Sequence, residues 1–154
     1  MLPEITVSEA TPGDAEKIAE IHLTARLDAM PYLHLAHSSA ETRSWFARTV
    51  GDPPSAWWVA RLSGKIGGYM LLNGEDLDHL YVGPRWQRHG IGRKLLDKAK
   101  MLSPKRLALT TFKKNTRAQA FYEAHGFYAV GFTEGRNEEN EPDMQYVWKA
   151  LQLK

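Results

Sequence analysis

The sequence predicts a mixed α/β fold in one domain that spans residues 1–154, and three observations lead to this prediction. The length of 154 residues suits a single domain. Segments in which apolar and polar residues alternate, as in strands, are interspersed along the chain with segments of helical periodicity. Glycine, proline and asparagine stand between most of these segments, as in turns. The resulting order, β-α-α-β-β-β-α-β-α-β-β, fits one sheet of about seven strands and about four helices.

The first part of the chain predicts a short strand and two helices. Residues 5–8 alternate between apolar and polar side chains, which indicates a strand. Residues 11–14, Thr-Pro-Gly-Asp, have the form of a helix start, and Pro31 ends this helix. Residues 38–41, Ser-Ser-Ala-Glu, have the form of a capping box and predict a second helix.

The later elements follow the same periodicities, with Ser63-Gly64 as a hairpin signal and Asn73-Gly74 as the next turn. The predicted strands lie at about 56–62, 65–72, 77–82, 107–111, 127–133 and 143–150, and the predicted helices lie at 91–102 and 115–125.

The net charge of the chain is only +2, but the charge is distributed unevenly. Between Arg85 and Arg117 there are eleven Lys or Arg residues and one acid, Asp97. Between Glu134 and Asp143 there are five acids and one base. A basic middle segment suits a polyanionic ligand, and the acidic loop suits, more weakly, a cationic one.

The composition also excludes several classes of site. The chain has no cysteine, which excludes disulfides, cysteine-based zinc sites and an acyl-cysteine intermediate. No apolar run approaches 18 residues and the N-terminus lacks a signal-peptide pattern, so we expect a cytoplasmic protein without a membrane partner. His34 and His37 lie in a loop without a carboxylate at ligand spacing, and we therefore expect no metal.

A strand, a glycine-containing loop and a helix occupy residues 77–102, and together they predict an anion site. The first N–H groups of a helix lack internal partners and attract negative charge. Gly90 and Gly92 allow an anion to approach the backbone closely, and Arg88, His89 and Arg93 add positive charge nearby. The stretch lacks the Gly-Lys-Ser/Thr of a P-loop and the third glycine of a dinucleotide site.

Residues 87–92, Gln-Arg-His-Gly-Ile-Gly, match the pattern Gln/Arg-x-x-Gly-x-Gly/Ala, and on this motif the chain resembles the GNAT N-acetyltransferases. The resemblance covers the order of elements from end to end. It implies a mostly antiparallel twisted sheet that is splayed between its fourth and fifth strands. It also implies that acetyl-CoA is the co-substrate, bound by Leu80, Tyr81, Val82, Gln87, Arg88, His89, Gly90, Ile91, Gly92, Arg93 and Asn115.

The same resemblance implies that Tyr122 is the general acid that protonates the thiolate of CoA. Asn115 and Tyr122 are two helical turns apart, so they lie on one side of a helix at about 10 Å along its axis. A phenol with a pKa near 10 can donate a proton to a thiolate whose thiol has a pKa near 8.5. The alternative is that Tyr122 is a core aromatic residue beside Phe121.

Asp76 and Asp78 are the candidates for the general base, since family members often carry a Glu or His base at the matching positions of the fourth strand. Strand alternation predicts that both carboxylates lie on one face and His79 on the other. An exposed aspartate is a poor base unless burial raises its pKa. Two solvated carboxylates near a turn are the alternative.

The acidic loop between the last two strands borders the acceptor site in this family. We therefore expect Glu138, Glu139 or Asp143 to bind an amine substrate, with a solvated loop as the alternative.

These inferences predict an acetyl-CoA-dependent N-acetyltransferase that acts by direct transfer to the primary amine of a small molecule or a peptide. A non-catalytic acyl-CoA-binding module on the same fold is the alternative. We expect no nucleic-acid partner, because the basic segment lacks interleaved aromatic residues and a docking motif. The acceptor, the preferred acyl chain and the formation of a homodimer are left open.

Overall fold

The computed structural model describes residues 4–33, 36–135 and 137–151, and these form a mixed α/β fold, as predicted. His34 lies outside the described residues. The strands are β1 (Ile5–Glu9), β2 (Trp57–Leu62), β3 (Lys65–Asn73), β4 (Asp76–Val82), β5 (Arg106–Phe112), β6 (Tyr128–Thr133) and β7 (Asp143–Lys149). The helices are α1 (Ala15–Ala29), α2 (Ser39–Thr49), α3 (Ile91–Leu102) and α4 (Thr116–Ala124), with 3₁₀ turns at Pro12–Asp14 and Pro84–Trp86.

The seven strands form one sheet in the order β1-β2-β3-β4-β5-β7-β6. Every neighbouring pair is antiparallel except β4 and β5, which are parallel and pair only at Asp76 and Ala108 within the described residues. The Ala108 N–H donates to the Glu75 carbonyl at 2.8 Å beside this pair. Beyond it the two strands separate toward Val82 and Phe112, which confirms the splay that the resemblance implied.

Local capping signals in the sequence position two of the helices. The Ser38 hydroxyl accepts the Glu41 N–H at 3.1 Å and the Glu41 carboxylate accepts the Ser38 N–H at 3.2 Å, so the predicted capping box starts α2. The Asn115 side chain accepts the Ala118 N–H at 3.2 Å and starts α4. The two caps fix where α2 and α4 begin relative to the sheet.

Two apolar clusters cover the two faces of the sheet. Helices α3 and α4 cover one face, where Leu95, Leu96 and Leu107 are fully buried. Helices α1 and α2 cover the other, where Ile18 and Phe46 are buried with the aromatic side chains of β2 and β3. Both helices that precede β2 therefore lie opposite α3.

A β-bulge in β4 changes the alternation that the sequence predicts for residues 76–79. Leu71 pairs with His79 but Leu72 pairs with Leu77, so Asp78 is the extra residue of the bulge. Leu77 packs in the α3 cluster, whereas His79 contacts the aromatic residues on the opposite face. The prediction of strict alternation here was wrong, because the extra residue reverses the order of faces.

Among the described residues, no helix has both the length and the apolar character that crossing a membrane requires.

Candidate active site

A cleft of about 480 Å³ lies where β4 and β5 separate, and we call it the α3–α4 cleft. The end of β4, the loop before α3, the first turn of α3 and one side of α4 form its walls. Ten of the eleven residues predicted to bind the cofactor line this cleft, and His89 is the exception. The lining residues from that prediction are Leu80, Tyr81, Val82, Gln87, Arg88, Gly90, Ile91, Gly92, Arg93 and Asn115.

Two glycines shape the start of α3. Gly90 is the N-cap residue, and its φ of +89° is a left-handed conformation that favours glycine. A Cβ on Gly92 would lie 3.3 Å from the Phe121 ring across the cleft, so a larger side chain at this position would enter the cleft. The first turn of α3 therefore lines the cleft, and the first N–H groups of a helix lack internal partners, as an anion site requires.

Positive charge surrounds this helix start. Arg88, Arg93 and Arg117 line the α3–α4 cleft, and the described lining residues contain no acid. Arg117 pairs with Asp28 of α1 at 2.9 Å, with both side chains largely exposed. The cleft is thus complementary to a polyanion at one end, while Ala25, Ala118 and Phe121 make part of its wall apolar.

Tyr122 stands at the junction of the α3–α4 cleft with a second cavity of about 270 Å³, the central cleft. The residue is 7% exposed, and its side chain lines both cavities. Burial, and then the nearby Tyr81 hydroxyl, raise the pKa of Tyr122 above its ordinary value. The phenol is therefore protonated at neutral pH.

The central cleft continues into a cavity of about 700 Å³ between α1 and α2, the α1–α2 cleft. His22, Arg26, His79 and Glu139 line both. The three cavities are thus neighbours, from the start of α3, past Tyr122, to α2.

The two candidate bases lie in different surroundings, although both are exposed. Asp78 lines the central cleft, and its carboxylate accepts the Asn73 side-chain amide at 2.6 Å. Asp76 stands at the start of β4 and lines a neighbouring groove with Arg106 and Gln145, which Asp78 also lines and Tyr122 does not.

The three acidic residues predicted to bind substrate each have a partner within the protein. Glu139 pairs with Arg26 at 3.4 Å, and Glu138 pairs with His37 at 2.9 Å. Asp143 accepts the Asn137 amide at 2.7 Å. The acidic loop is thus bound to α1 and to the segment before α2, and a role of these acids in substrate binding stays a prediction.

The His37–Glu138 pair is fully exposed. The hydrogen bond between His37 and Glu138 is the largest of the causes that raise the pKa of His37.

Sequence reasoning missed a buried hydrogen-bonded chain beside the central cleft. The Tyr69 hydroxyl lies 2.8 Å from His22 Nδ1 and 2.8 Å from His79 Nδ1. Burial lowers the pKa of His22 to about 2 and that of His79 to about 4, and in both cases the charge of Arg26 adds to the effect. The predicted turn at Asn73-Gly74 brings the strands that carry Tyr69 and His79 together, so it was a signal for their contact. No local pattern indicates His22.

Arg26 sets the direction of the hydrogen bonds in this chain. Its Nη1 lies 3.4 Å from His22 Nε2, and because a guanidinium only donates, that nitrogen must accept. Neutral His22 then carries its proton on Nδ1 and donates to Tyr69. Tyr69 donates its single proton to His79 Nδ1, which leaves the proton of neutral His79 on Nε2.

Comparison with known proteins extends these observations. The family model described as "Acetyltransferase (GNAT) family" matches residues 19–127. The chain is 36% identical over 83 residues to the peptidyl-lysine N-acetyltransferase YjaB of Salmonella typhimurium. This alignment covers 53% of this chain and 57% of that protein. It is 30% identical over 165 residues to the probable N-acetyltransferase Rv2775 of Mycobacterium tuberculosis, covering 96% of this chain and 86% of that one. The match to YjaB thus spans little more than half of that relative's length.

Solved structures share the fold along nearly the whole chain. The apo form of YjaB from Escherichia coli aligns with a TM-score of 0.75 and 24% identity, over 96% of this chain and 99% of that one. PaiA N-acetyltransferase from Thermoplasma acidophilum, in complex with coenzyme A, aligns with a TM-score of 0.70 and 16% identity, over 95% and 99%. With the family model matching well over half of the sequence, the chain belongs to the acetyltransferase (GNAT) family.

Proposed function

We propose that this protein transfers an acetyl group from acetyl-CoA directly to a primary amine of a small molecule or a peptide. The observation that carries this proposal is the position of Tyr122, which lines both the α3–α4 cleft and the central cleft. A hydroxyl in that position can contact a thioester bound in the first cleft while an amine binds in the second. Family membership supports the reaction class, and the name of the YjaB relative favours an amine acceptor.

In this proposal the α3–α4 cleft holds acetyl-CoA. The backbone N–H groups between Arg88 and Arg93 bind the pyrophosphate, because a helix start concentrates unpaired donors and positive potential. The pantetheine arm lies along Leu80–Val82, where β4 has separated from β5 and its edge is free to hydrogen-bond amides. The start of α4 at Asn115 supports the other side of the arm.

The reaction needs a proton donor for the leaving thiolate, and Tyr122 takes this role in the proposal. Its raised pKa keeps the phenol protonated throughout the neutral range. The amine nitrogen attacks the thioester carbonyl, the carbon–sulfur bond breaks, and the phenol proton passes to the sulfur. No covalent acyl-enzyme is needed, in keeping with the absence of cysteine.

The amine must lose its proton before it attacks, and a carboxylate of β4 is the proposed base. Of the two candidates, Asp78 is favoured because it lines the central cleft, whereas Asp76 lines only the neighbouring groove. An alkylamine pKa near 10.4 lies about three units above neutral pH, so even a weak base that is correctly placed contributes to the rate.

An acetyl-CoA turnover screen tests the proposal. Release of free thiol is followed with polyamines, aminoglycosides, amino acids and lysine-containing peptides as acceptors, and unfolding temperature is followed with CoA alone. We expect CoA to raise the unfolding temperature and at least one amine class to release thiol well above the hydrolysis rate. Stabilisation by CoA without amine-dependent release would favour the acyl-CoA-binding module, and no stabilisation would contradict the site assignment.

A further inference from the structure

Arg26 occupies an unusual place for an arginine, because it is largely buried where the central cleft and the α1–α2 cleft adjoin. Its side chain is only 17% exposed, and it lines both the central and the α1–α2 clefts. The guanidinium lies over the Phe112 ring at 5.6 Å. Among the described residues that line the central cleft, it is the only Lys or Arg side chain.

The hydrogen-bonding capacity of this guanidinium is poorly used within the protein. Its contacts with Glu139 Oε1 and His22 Nε2 are both 3.4 Å, longer than the 2.7–2.9 Å that is typical of charge-assisted bonds. Its Nε is the one buried side-chain nitrogen or oxygen without a partner in the described part of the chain. A buried guanidinium with weak partners gains more from a further acceptor oxygen than a well-paired one does.

The surroundings of Arg26 reinforce its preference for an anion. The His22–Tyr69–His79 chain ends with the proton of His79 on Nε2, so this chain also presents a donor beside the cleft. Burial keeps both histidines neutral near pH 7, so neither competes for the anion as a cation. Glu139 is the carboxylate that now contacts the guanidinium, and it belongs to the loop between β6 and β7.

We propose that Arg26 binds a carboxylate of the acceptor, so that the preferred acceptors are amines that also carry a carboxylate. This inference rests on the proposed function and names the substrate class of the same site. Glu139 holds the position of that carboxylate until the acceptor arrives, and binding exchanges one carboxylate for the other. Asp78 and Asp143 line the same cleft, and in this proposal their negative charge attracts the ammonium end of such a zwitterion.

Two kinds of acceptor carry both an amine and a carboxylate: a free amino acid, and a peptide in which an acidic residue lies beside a lysine. The experiment uses matched pairs that differ only in the carboxylate: 4-aminobutyrate against butylamine, and a lysine peptide with a neighbouring Glu against the same peptide with Gln. We expect kcat/KM to be about 10- to 100-fold higher for the carboxylated member of at least one pair. The pair that shows the preference identifies the kind of acceptor.

Two substitutions with opposite expected effects then test the residue. Arg26→Met should raise KM for the preferred carboxylated acceptor about 10- to 100-fold. It should leave KM for acetyl-CoA, and for the matched acceptor that lacks the carboxylate, within about twofold. Glu139→Gln should lower KM for the carboxylated acceptor about threefold, since the competing carboxylate is gone. Arg43→Met removes the same charge from an exposed position of α2 and should change neither value.

Binding of 4-aminobutyrate and butylamine in the presence of CoA, measured by calorimetry, provides a readout that does not need turnover. Equal kcat/KM within both pairs would overturn the inference and leave the acetyltransferase proposal intact. An Arg26→Met effect that is equal for both members of a pair would also overturn it, because that pattern indicates a structural role. A rise of KM for all amines in Glu139→Gln would show instead that Glu139 attracts the ammonium group. Absence of thiol release with every amine would contradict the proposed function itself.

Discussion

The α3–α4 cleft and the central cleft meet at Tyr122, but they are built in different ways. The first takes most of its lining from one continuous stretch, Leu80 to Arg93, which includes the start of a helix. The second is assembled from side chains far apart in the chain, such as Arg26 and Glu139, which are 113 residues apart. A site made of backbone amides is encoded locally, whereas a site made of side-chain contacts depends on the whole fold.

The largest expected effect comes from placing a negative charge in the locally encoded cleft. Gly92→Glu should lower kcat/KM for acetyl-CoA at least about 1000-fold, because a carboxylate would oppose the pyrophosphate in a poorly solvated site. The rise of the unfolding temperature on addition of CoA measures cofactor binding without turnover. Gly92→Ala is the matched control, since its Cβ approaches the Phe121 ring at 3.3 Å without adding charge. Normal CoA affinity in Gly92→Glu would contradict the assignment of this cleft.

Tyr122 joins the two regions, and its removal should affect the rate rather than binding. Tyr122→Phe keeps the ring and should lower kcat about 100-fold, with KM for acetyl-CoA within about twofold, because only the proton donor is lost. Steady-state thiol release measures both constants. Tyr128→Phe, which removes a hydroxyl from an exposed tyrosine of β6, should be silent. Wild-type kcat in Tyr122→Phe would make Tyr122 a structural residue.

The proposed base on β4 belongs to the central cleft, which depends on the tertiary structure. Asp78→Asn should lower kcat about 10-fold at pH 7, with a smaller loss at higher pH where the free amine is more abundant. Asp76→Asn should have less effect, since Asp76 lies outside the central cleft. Asp97→Asn, on the exposed side of α3, provides the control. Losses below twofold in both strand variants would remove the carboxylates from the mechanism.

The buried histidines should appear in the pH dependence of stability. Because the pKa of His79 is lowered from 6.5 to about 4 in the folded protein, the unfolded chain binds more protons between these values. Folding stability therefore falls as pH falls from 6.5 toward 4, and His79→Gln should reduce this slope by about 1 kcal/mol per pH unit near pH 5.

Urea unfolding at pH 5, 6 and 7 measures the slope. Tyr69→Phe keeps both histidines buried and should retain it. An unchanged slope in His79→Gln would mean that His79 titrates normally.

Much of this protein was determined by short patterns in the sequence. The helix start after Gly90, the capping box at Ser38–Glu41 and the N-cap Asn115 were all predictable, because caps and close-approach glycines act over three or four residues. The family resemblance, which rests on the motif at residues 87–92, indicated ten of the residues that line the α3–α4 cleft. The element order then implied the splayed sheet through family resemblance.

The tertiary structure alone decided the arrangement of the central cleft. The bulge at Asp78 depends on how β3 and β4 register, so alternation along one strand did not predict it. Arg26 looks in the sequence like any charged residue of an amphipathic helix, and Glu139 looks like part of a solvated acidic loop. Only the packing of α1 against the sheet and the return of the β6–β7 loop bring the two together, because side chains at such separations meet through the fold and leave no local pattern.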